Sequence, residues 1–360
     1  MKFNKEIVKF KIAVTSGCCL RCTHCFIDKS RAETIPLGSA LKAVDIFLNS
    51  PGKNKTLEIY GGEPLMEFAL VKKIITAASA AARKLEKELA VSVASNGVLA
   101  ERGQLAWLAR RGVRFAVSFS GSGRSHDLTR KFASGKGTHA AVAEKIPLFI
   151  SVLGEDLHAI LCVHPRRAAA VYEDFLELAG RGFKNIGIEC VHGAAWRPGD
   201  LDAFSAGLKK IARFVLNGVA AGEPVVLEPF LEFFRANGYA HSFCPFLRDL
   251  ELYPDGVLSF YPYPFLRSRA QRAAAAVGSA GAWVAPRYRD CVPSAGSRLC
   301  VDCARGYYRL PGNAGGSRAH ALRTRVCLDT VKEIIARAPN EPAMKKYLKH
   351  LIRLFKKGYI

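Results

Sequence analysis

The stretch "VKFKIAVTSGCCLRCTHC", residues 8–25, opens as a β-strand and ends in four cysteines. Its first half, 8–16, is rich in β-branched and apolar residues, which suit a pleated, half-buried surface. The strand runs straight into the cysteines. A strand that delivers a chemistry-bearing loop invites the question of whether the same unit repeats along the chain.

It repeats six times. After the cysteines, 37–49 reads as a helix, with Leu41, Val44, Phe47 and Leu48 at helical spacing. "KTLEIYGG" (55–62) is a second strand and is followed by the helix-forming run 64–86. "LAVSVASNG" (89–97) is the third strand, with a helix over 103–112 that stops at glycine. Strands are predicted again over 113–121, 158–165 and 183–193, separated by helical segments around 136–154 and 168–182. Six alternating strands and helices imply an α/β fold with a parallel sheet and right-handed crossovers, here a partial (β/α)6 TIM-like barrel. In such a barrel, chemistry sits at the C-terminal ends of the strands. The cysteines, "YGGEP", "SNG" and "SFSGS" all fall there.

Past about residue 225 the alternation breaks down. Residues 240–315 are aromatic-rich and carry Cys244, Cys291, Cys300 and Cys303, and helices return from 321. In "AMKKYLKHLIRLFKK", Met344, Tyr347, Leu348, Leu351, Ile352 and Phe355 form one helical face opposite Lys and Arg. That face either closes over the domain or docks on a membrane surface or partner.

The chain has 360 residues, 49% of them hydrophobic, enough for a large domain and a smaller one, and disorder is not expected. The opening residues are polar and charged where a secretory signal needs an apolar run, and no segment reaches the ~20 apolar residues of a membrane span. These features predict a cytoplasmic protein. Eleven cysteines are poorly explained there by disulfides, since reducing thiols keep most of them open, and metal binding is the expected use. The net charge is +22, with thirteen basic and three acidic residues in 304–360. A solvated basic face accounts for much of it, and with no DNA-binding or RNA-binding signature nucleic acid is not expected as a partner.

Cys18, Cys22 and Cys25 follow C-x3-C-x2-C. Three thiolates on one tight loop leave one iron of a four-iron cluster open to a small molecule. Structural zinc would want a fourth Cys or His nearby, and adjacent Cys18 and Cys19 would have difficulty converging on one metal. The spacing favours the cluster, with zinc as the competing reading.

"GCCLRCTHCF" (17–26) resembles the cluster loop of the radical S-adenosylmethionine (SAM) superfamily. The resemblance implies a [4Fe–4S] cluster held by Cys18, Cys22 and Cys25, SAM chelated to the open iron, and reductive cleavage to a 5′-deoxyadenosyl radical that removes a substrate hydrogen. His24 stands where the family usually has an aromatic residue, and Cys19 where Asn is frequent. "YGGEPLM" (60–66) resembles the motif that receives the methionine ammonium, which implies Gly61 and Gly62 at a close backbone approach and Glu63 as acceptor. "VSFSGSGRSHDLTRKFASGKGTHAAV" (117–142) resembles the anaerobic sulfatase-maturating enzymes and related peptide-modifying enzymes. By position, Ser118 would contact the SAM ribose region and Arg130 the methionine carboxylate, and Asn96 matches the family's Asn-Gly. Ser120 stands where the relatives have Asp. His126 and Asp127 are expected to fix the loop, with an acid–base pair as the alternative. Glu189 faces either the barrel interior or a salt bridge, and Cys162 and Cys190, isolated on apolar strands, are expected in the core.

Cys244, "YPDG" and "CVDC" (300–303) resemble the SPASM extension of those enzymes and its shorter twitch variant. Tyr261 replaces the cysteine expected after Gly256, and Arg309 stands where another would follow. One auxiliary [4Fe–4S] cluster on Cys244, Cys291, Cys300 and Cys303 is therefore expected, with zinc as the alternative. The resulting division is a radical SAM core over 1–225, a twitch/SPASM-like domain over 226–320 and a basic helical tail over 321–360. The resemblance implies a radical SAM oxidoreductase or maturase acting on a peptide or protein residue, supplied with electrons by a flavodoxin-like or ferredoxin-like donor. Two alternatives remain open: an anionic small molecule or nucleotide as substrate, and a non-catalytic zinc or iron–sulfur protein that binds nucleic acid.

Overall fold

Alternation of side chains along the first strand sets the layers of the molecule. The computed structural model describes residues 7–191, 193–238, 249–259, 276–279, 282–283 and 314–356. In β1 (Lys9–Ala13) Phe10 and Ile12 are fully buried on the face that helices cover, while Lys9 and Lys11 point to the other face. The same two faces continue through β2 (Asn54–Tyr60), β3 (Glu88–Ser95), β4 (Arg114–Ser118), β5 (Leu157–Val163), β6 (Asn185–Cys190) and β7 (Val226–Leu227). These seven strands pair in sequence order, all in parallel. The first six are the strands predicted from sequence, each ending two or three residues earlier than predicted.

Helices join the strands as crossovers: α1 (Leu37–Asn49), α2 (Phe68–Lys84), α3 (Arg102–Ala109), then α4 (Gly123–Thr129), α5 (His139–Ala143) and α6 (Ile146–Leu153) between β4 and β5, and α7 (Val171–Gly180). In α1 the buried residues Ala40, Ala43, Val44, Phe47 and Leu48 fall on one helical face, and the helix ends at Ser50, just before Pro51. Phe47 meets Phe10 of the sheet at 5.4 Å between ring centroids, and Phe115 of β4 meets Phe149 of α6 at 5.8 Å. The apolar core is thus the layer between sheet and helices.

On the far side of β1 lies β8 (Asp249–Leu252), also parallel, so sequence-distant strands flank the first one. "YPDG" then turns the chain through Gly256, at φ +79°, into antiparallel β9 (Val257–Ser259), and β10 (Ala276–Ser279) and β11 (Ala282–Trp283) extend that edge. The sheet does not close on itself among the described residues: its two edges are β7 and β11. Cys244, Cys291, Cys300 and Cys303 lie outside the described residues.

The inner face of the sheet is ionic. Lys9 pairs with Glu58 at 2.8 Å and Lys11 with Glu251 at 3.6 Å. Burial would raise the Glu58 carboxyl, but the two ammonium groups beside it bring it down to about 2. Tyr253 donates to Glu251 on the same face.

The remaining described helices are α8 (Pro198–Ala220), α9 (Pro229–Gly238), α10 (Ala314–Arg337) and α11 (Pro342–Lys356). α10 packs on α8 and α9, and α11 packs on α8, α9 and α10. Met344, Tyr347, Leu351 and Leu354 are buried in that contact, and Tyr347 donates to Val225 O at 2.7 Å. Of the two roles open to this amphipathic face, closing over the domain is the one observed. No described helix is long and apolar enough to cross a membrane. Replacing Leu351 with Ala should cost about 2–5 kcal/mol, read as a lower denaturation midpoint of the far-UV helical signal.

Candidate active site

The loop after β1 carries Cys18, Cys22 and Cys25, and its path is set by backbone contacts to its neighbours. Gly62 N donates to Thr15 O at 2.6 Å and Glu63 N to Gly17 O at 2.8 Å, so the loop after β2 is docked on the start of the cysteine loop. A Cβ at Gly62 would stand 2.1 Å from Gly17 O, and one at Gly61, at φ +143°, 2.5 Å from Thr15 O. The two glycines therefore permit this approach. From the other side Arg21 N donates to Lys131 O at 2.7 Å and Thr23 N to Thr129 O at 2.9 Å.

All three cysteines are free thiols, none of them buried in the core. Cys19, to which the sequence assigns no role, lies beside Cys18: Asn96 Nδ2 stands 3.7 Å from the Cys18 sulfur and 3.5 Å from that of Cys19. Burial raises the Cys22 thiol, while Arg130 and Lys29 nearby draw it down, so cations flank the loop. No group of three or more His, Cys, Asp and Glu side chains among the described residues is gathered tightly enough to hold a single metal ion. Burial, reinforced by Arg130, pushes the His24 ring down to about 3 and keeps it neutral. A neutral imidazole is the closest that a histidine comes to the aromatic residue expected there.

Glu63 is fully buried. Its Oε1 accepts from Leu65 N at 3.0 Å and Ser95 Oγ at 2.8 Å, and its Oε2 from Asn96 N at 2.8 Å. The carboxylate thus joins the loop after β2 to the end of β3. Burial outweighs these donors and raises its pKa to about 7. Ser118 ends β4 half-buried on the inner face, opposite Ile160.

Arg130 follows α4 and is 7% exposed. Its Nη2 donates to Cys162 Sγ at 3.2 Å, and its Nε is buried without a partner. The loop that carries it is held by its histidine and aspartate: Ser120 N donates to His126 Nδ1 at 3.2 Å, and His139 N to Asp127 Oδ1 at 2.8 Å. Burial drives His126 down to about 2, so this neutral ring and Asp127 fix the loop. Ser120 accepts at Oγ from Cys162 N at 3.3 Å, and Asp174 of α7 receives Ser122 N and Oγ at 3.0 and 2.7 Å.

One strand residue departs from the sequence reading. Cys190 is in the apolar core as expected, but Cys162 is on the inner face, in register with Glu189. Glu189 does both things weighed for it: it faces inward and pairs with Arg323 at 2.9 Å. Arg323 reaches from α10, is 2% exposed, and also donates to Ile188 O at 2.6 Å. No local signal distinguished this arginine from its basic neighbours in 304–360. The site therefore brings the cysteine loop, Gly61, Gly62, Glu63, Asn96 and Arg130 onto one end of the sheet, with Ser118 on the adjoining strand.

Because Glu63 is raised from 4.5 to about 7, its protonated form is the one the fold favours. Its contribution is fully present below the unfolded pKa and is lost as pH rises through about 7. Glu63→Gln should remove that slope, so thermal midpoints of variant and wild type recorded across this window should diverge with pH.

Comparison with known proteins follows this geometry. Residues 12–179 match the model of the Radical SAM superfamily. The structure of anSMEcpe with bound AdoMet (S-adenosylmethionine) superposes with a TM-score of 0.67 at 16% identity, covering 91% of this chain and 99% of that one. The same protein with AdoMet and a peptide gives 0.69 at 14% identity, covering 91% and 98%. Streptococcus suis SuiB bound to S-adenosylmethionine gives 0.52 at 14% identity, covering 87% and 68%. At these identities the likeness is one of fold. The uncharacterized protein MJ0907 of Methanocaldococcus jannaschii is 33% identical over 64 residues, 18% of this chain and 22% of that one, so the match spans about a fifth of that relative. The cysteine loop, the strand-end motifs and the matched family model together identify residues 12–179 as a radical SAM domain, which implies a [4Fe–4S] cluster and S-adenosylmethionine as cofactors.

Proposed function

We propose that this protein is a radical SAM enzyme that removes hydrogen from a residue of a peptide or protein, as a cytoplasmic maturase or peptide-modifying oxidoreductase. The observation that carries the reading is Arg130: a buried guanidinium beside the cysteine loop, with a thiol contact and an unpartnered Nε. A buried cation so placed calls for an anion. The methionine carboxylate of SAM has the planar shape a guanidinium binds well.

The donor set suits the cofactors. Cys18, Cys22 and Cys25 would each hold one iron, leaving the fourth for SAM. When bound, the reduced cluster and SAM supply a 5′-deoxyadenosyl radical that can take hydrogen from an unactivated C–H bond. The protein's own residues position and protect. Gly61 and Gly62 keep the loop after β2 against the cysteine loop, Glu63 locks that loop to β3, and Asn96 and Ser118 line the approach along the strand ends. His126, Thr138 and Asp127 hold the segment that presents Arg130, through the contact of His126 Nε2 with Thr138 Oγ1 at 3.0 Å. Support for a peptide substrate comes from the fold, shared with a protein that holds AdoMet and a peptide. A flavodoxin-like or ferredoxin-like donor would reduce the cluster. Cys244, Cys291, Cys300 and Cys303 would carry one auxiliary [4Fe–4S] cluster.

Anaerobic reconstitution should load about four irons per cluster, and the reduced protein should release 5′-deoxyadenosine from SAM. Zinc in place of iron, with no SAM cleavage, would sink the proposal. Replacing Cys18, Cys22 and Cys25 together with Ala should abolish cleavage and leave about four irons on the auxiliary site; no residual iron excludes that second cluster. Arg130→Ala should weaken SAM binding about ten- to a hundredfold in equilibrium dialysis, with partial recovery in Arg130→Lys.

A further inference from the structure

Cys162 is a thiol on the inner face of the sheet, outside the cysteine loop, that the proposed mechanism leaves without a task. It belongs to β5, whose residues Leu157, Ala159, Leu161 and Val163 all enter the apolar core. Strand alternation therefore turns Cys162 to the inner face, one residue before the strand's C-terminal end, in register with Glu189 of β6. Its position is fixed twice. The backbone N donates to Ser120 Oγ at 3.3 Å, and Arg130 Nη2 donates to the sulfur at 3.2 Å. The thiol is free and the residue is half-buried. A second, independent observation marks the same space as a ligand site: Arg130 is more than nine-tenths buried and its Nε has no partner.

We propose that Cys162 is a hydrogen-atom donor, delivering its S–H hydrogen to a carbon-centred radical formed at this end of the sheet; the role rests on the radical SAM reading above. An S–H bond is weaker than the C–H bond of an unactivated alkyl group, so the transfer runs downhill. In the step, the Cys162 S–H bond breaks homolytically, a C–H bond forms on the substrate carbon, and the unpaired electron moves to the sulfur. A low-potential one-electron donor protein, of the class that reduces the cluster, then supplies an electron, and solvent a proton, to restore the thiol. The substrate carbon loses one hydrogen and regains another. The product keeps the hydrogen count of the substrate, as in inversion at a carbon centre, whereas an oxidative maturation would lose it. Burial holds the thiol protonated by raising its pKa, against the pull of Arg130, so the S–H bond is present at neutral pH.

The test needs SAM alone. The reduced, cluster-loaded full chain is incubated with SAM in D2O without added thiol, and the 5′-deoxyadenosine is analysed by mass spectrometry. The wild type should carry one deuterium drawn from the exchanged Cys162 S–D. Cys162→Ser should lose that label in the 5′-deoxyadenosine it forms, while Cys190→Ala, which alters a thiol on the opposite face, should keep it. Unlabelled wild-type product, or equal label in Cys162→Ser, overturns the proposal. Failure of the wild type to form 5′-deoxyadenosine at all would instead overturn the radical SAM reading. A readout without turnover uses the oxidised, cluster-loaded wild type: SAM should slow alkylation of Cys162 by iodoacetamide, followed by peptide mapping, and an unchanged rate overturns the assignment.

Discussion

Two backbone hydrogen bonds, from Gly62 N to Thr15 O and from Glu63 N to Gly17 O, couple the first two strand-end loops. Such bonds form only if two segments meet with no side chain between them, which is why glycine occupies both 61 and 62. From this contact Glu63 carries the constraint inward, because its buried carboxylate gathers Leu65, Ser95 and Asn96. The loops after β1, β2 and β3 thereby become one body, with Asn96 Nδ2 set against the sulfurs of Cys18 and Cys19. A carboxylate this deep in protein is costly, and its raised pKa records the cost.

A second body forms around Arg130. His126 and Asp127 tie its segment to Ser120 and His139, and Asp174 anchors the turn at Ser122. The two bodies meet where Arg21 and Thr23 of the cysteine loop bond to the backbone of Lys131 and Thr129. These contacts hold the Arg130 guanidinium buried in one position beside the cysteine loop. On the β6 side, Arg323 of α10 does for Glu189 what Asp174 does for Ser122: a helix outside the cysteine loop fixes a polar group at the strand ends.

Much of this was legible in the sequence because the signals were local. The strand–helix period, the helix over 37–49 and the cysteine spacing each depend on residues within one element. So does the reading of His126 and Asp127 as loop-fixing residues, which rests on a motif of contiguous positions. Cys162 was misplaced because "HAILCVHP" is apolar on both sides of the cysteine, so alternation alone gives no face. Arg323 was invisible for a different reason. A helix in a strongly basic segment offers many arginines, and only the packing of α10 on α8 and α9 selects the one that is buried.

The sequence by itself determined the order of the strands, the loop with three thiols and the end of the sheet where chemistry gathers, since each follows from short-range periodicity and spacing. Tertiary structure decided what surrounds those thiols. It set Glu63 against β3, turned Cys162 toward Arg130, delivered Arg323 to Glu189 across more than a hundred residues, and laid the amphipathic face of α11 on the domain. These are long-range contacts, fixed by how sheet and helices pack and not by any residue's immediate neighbours in the chain.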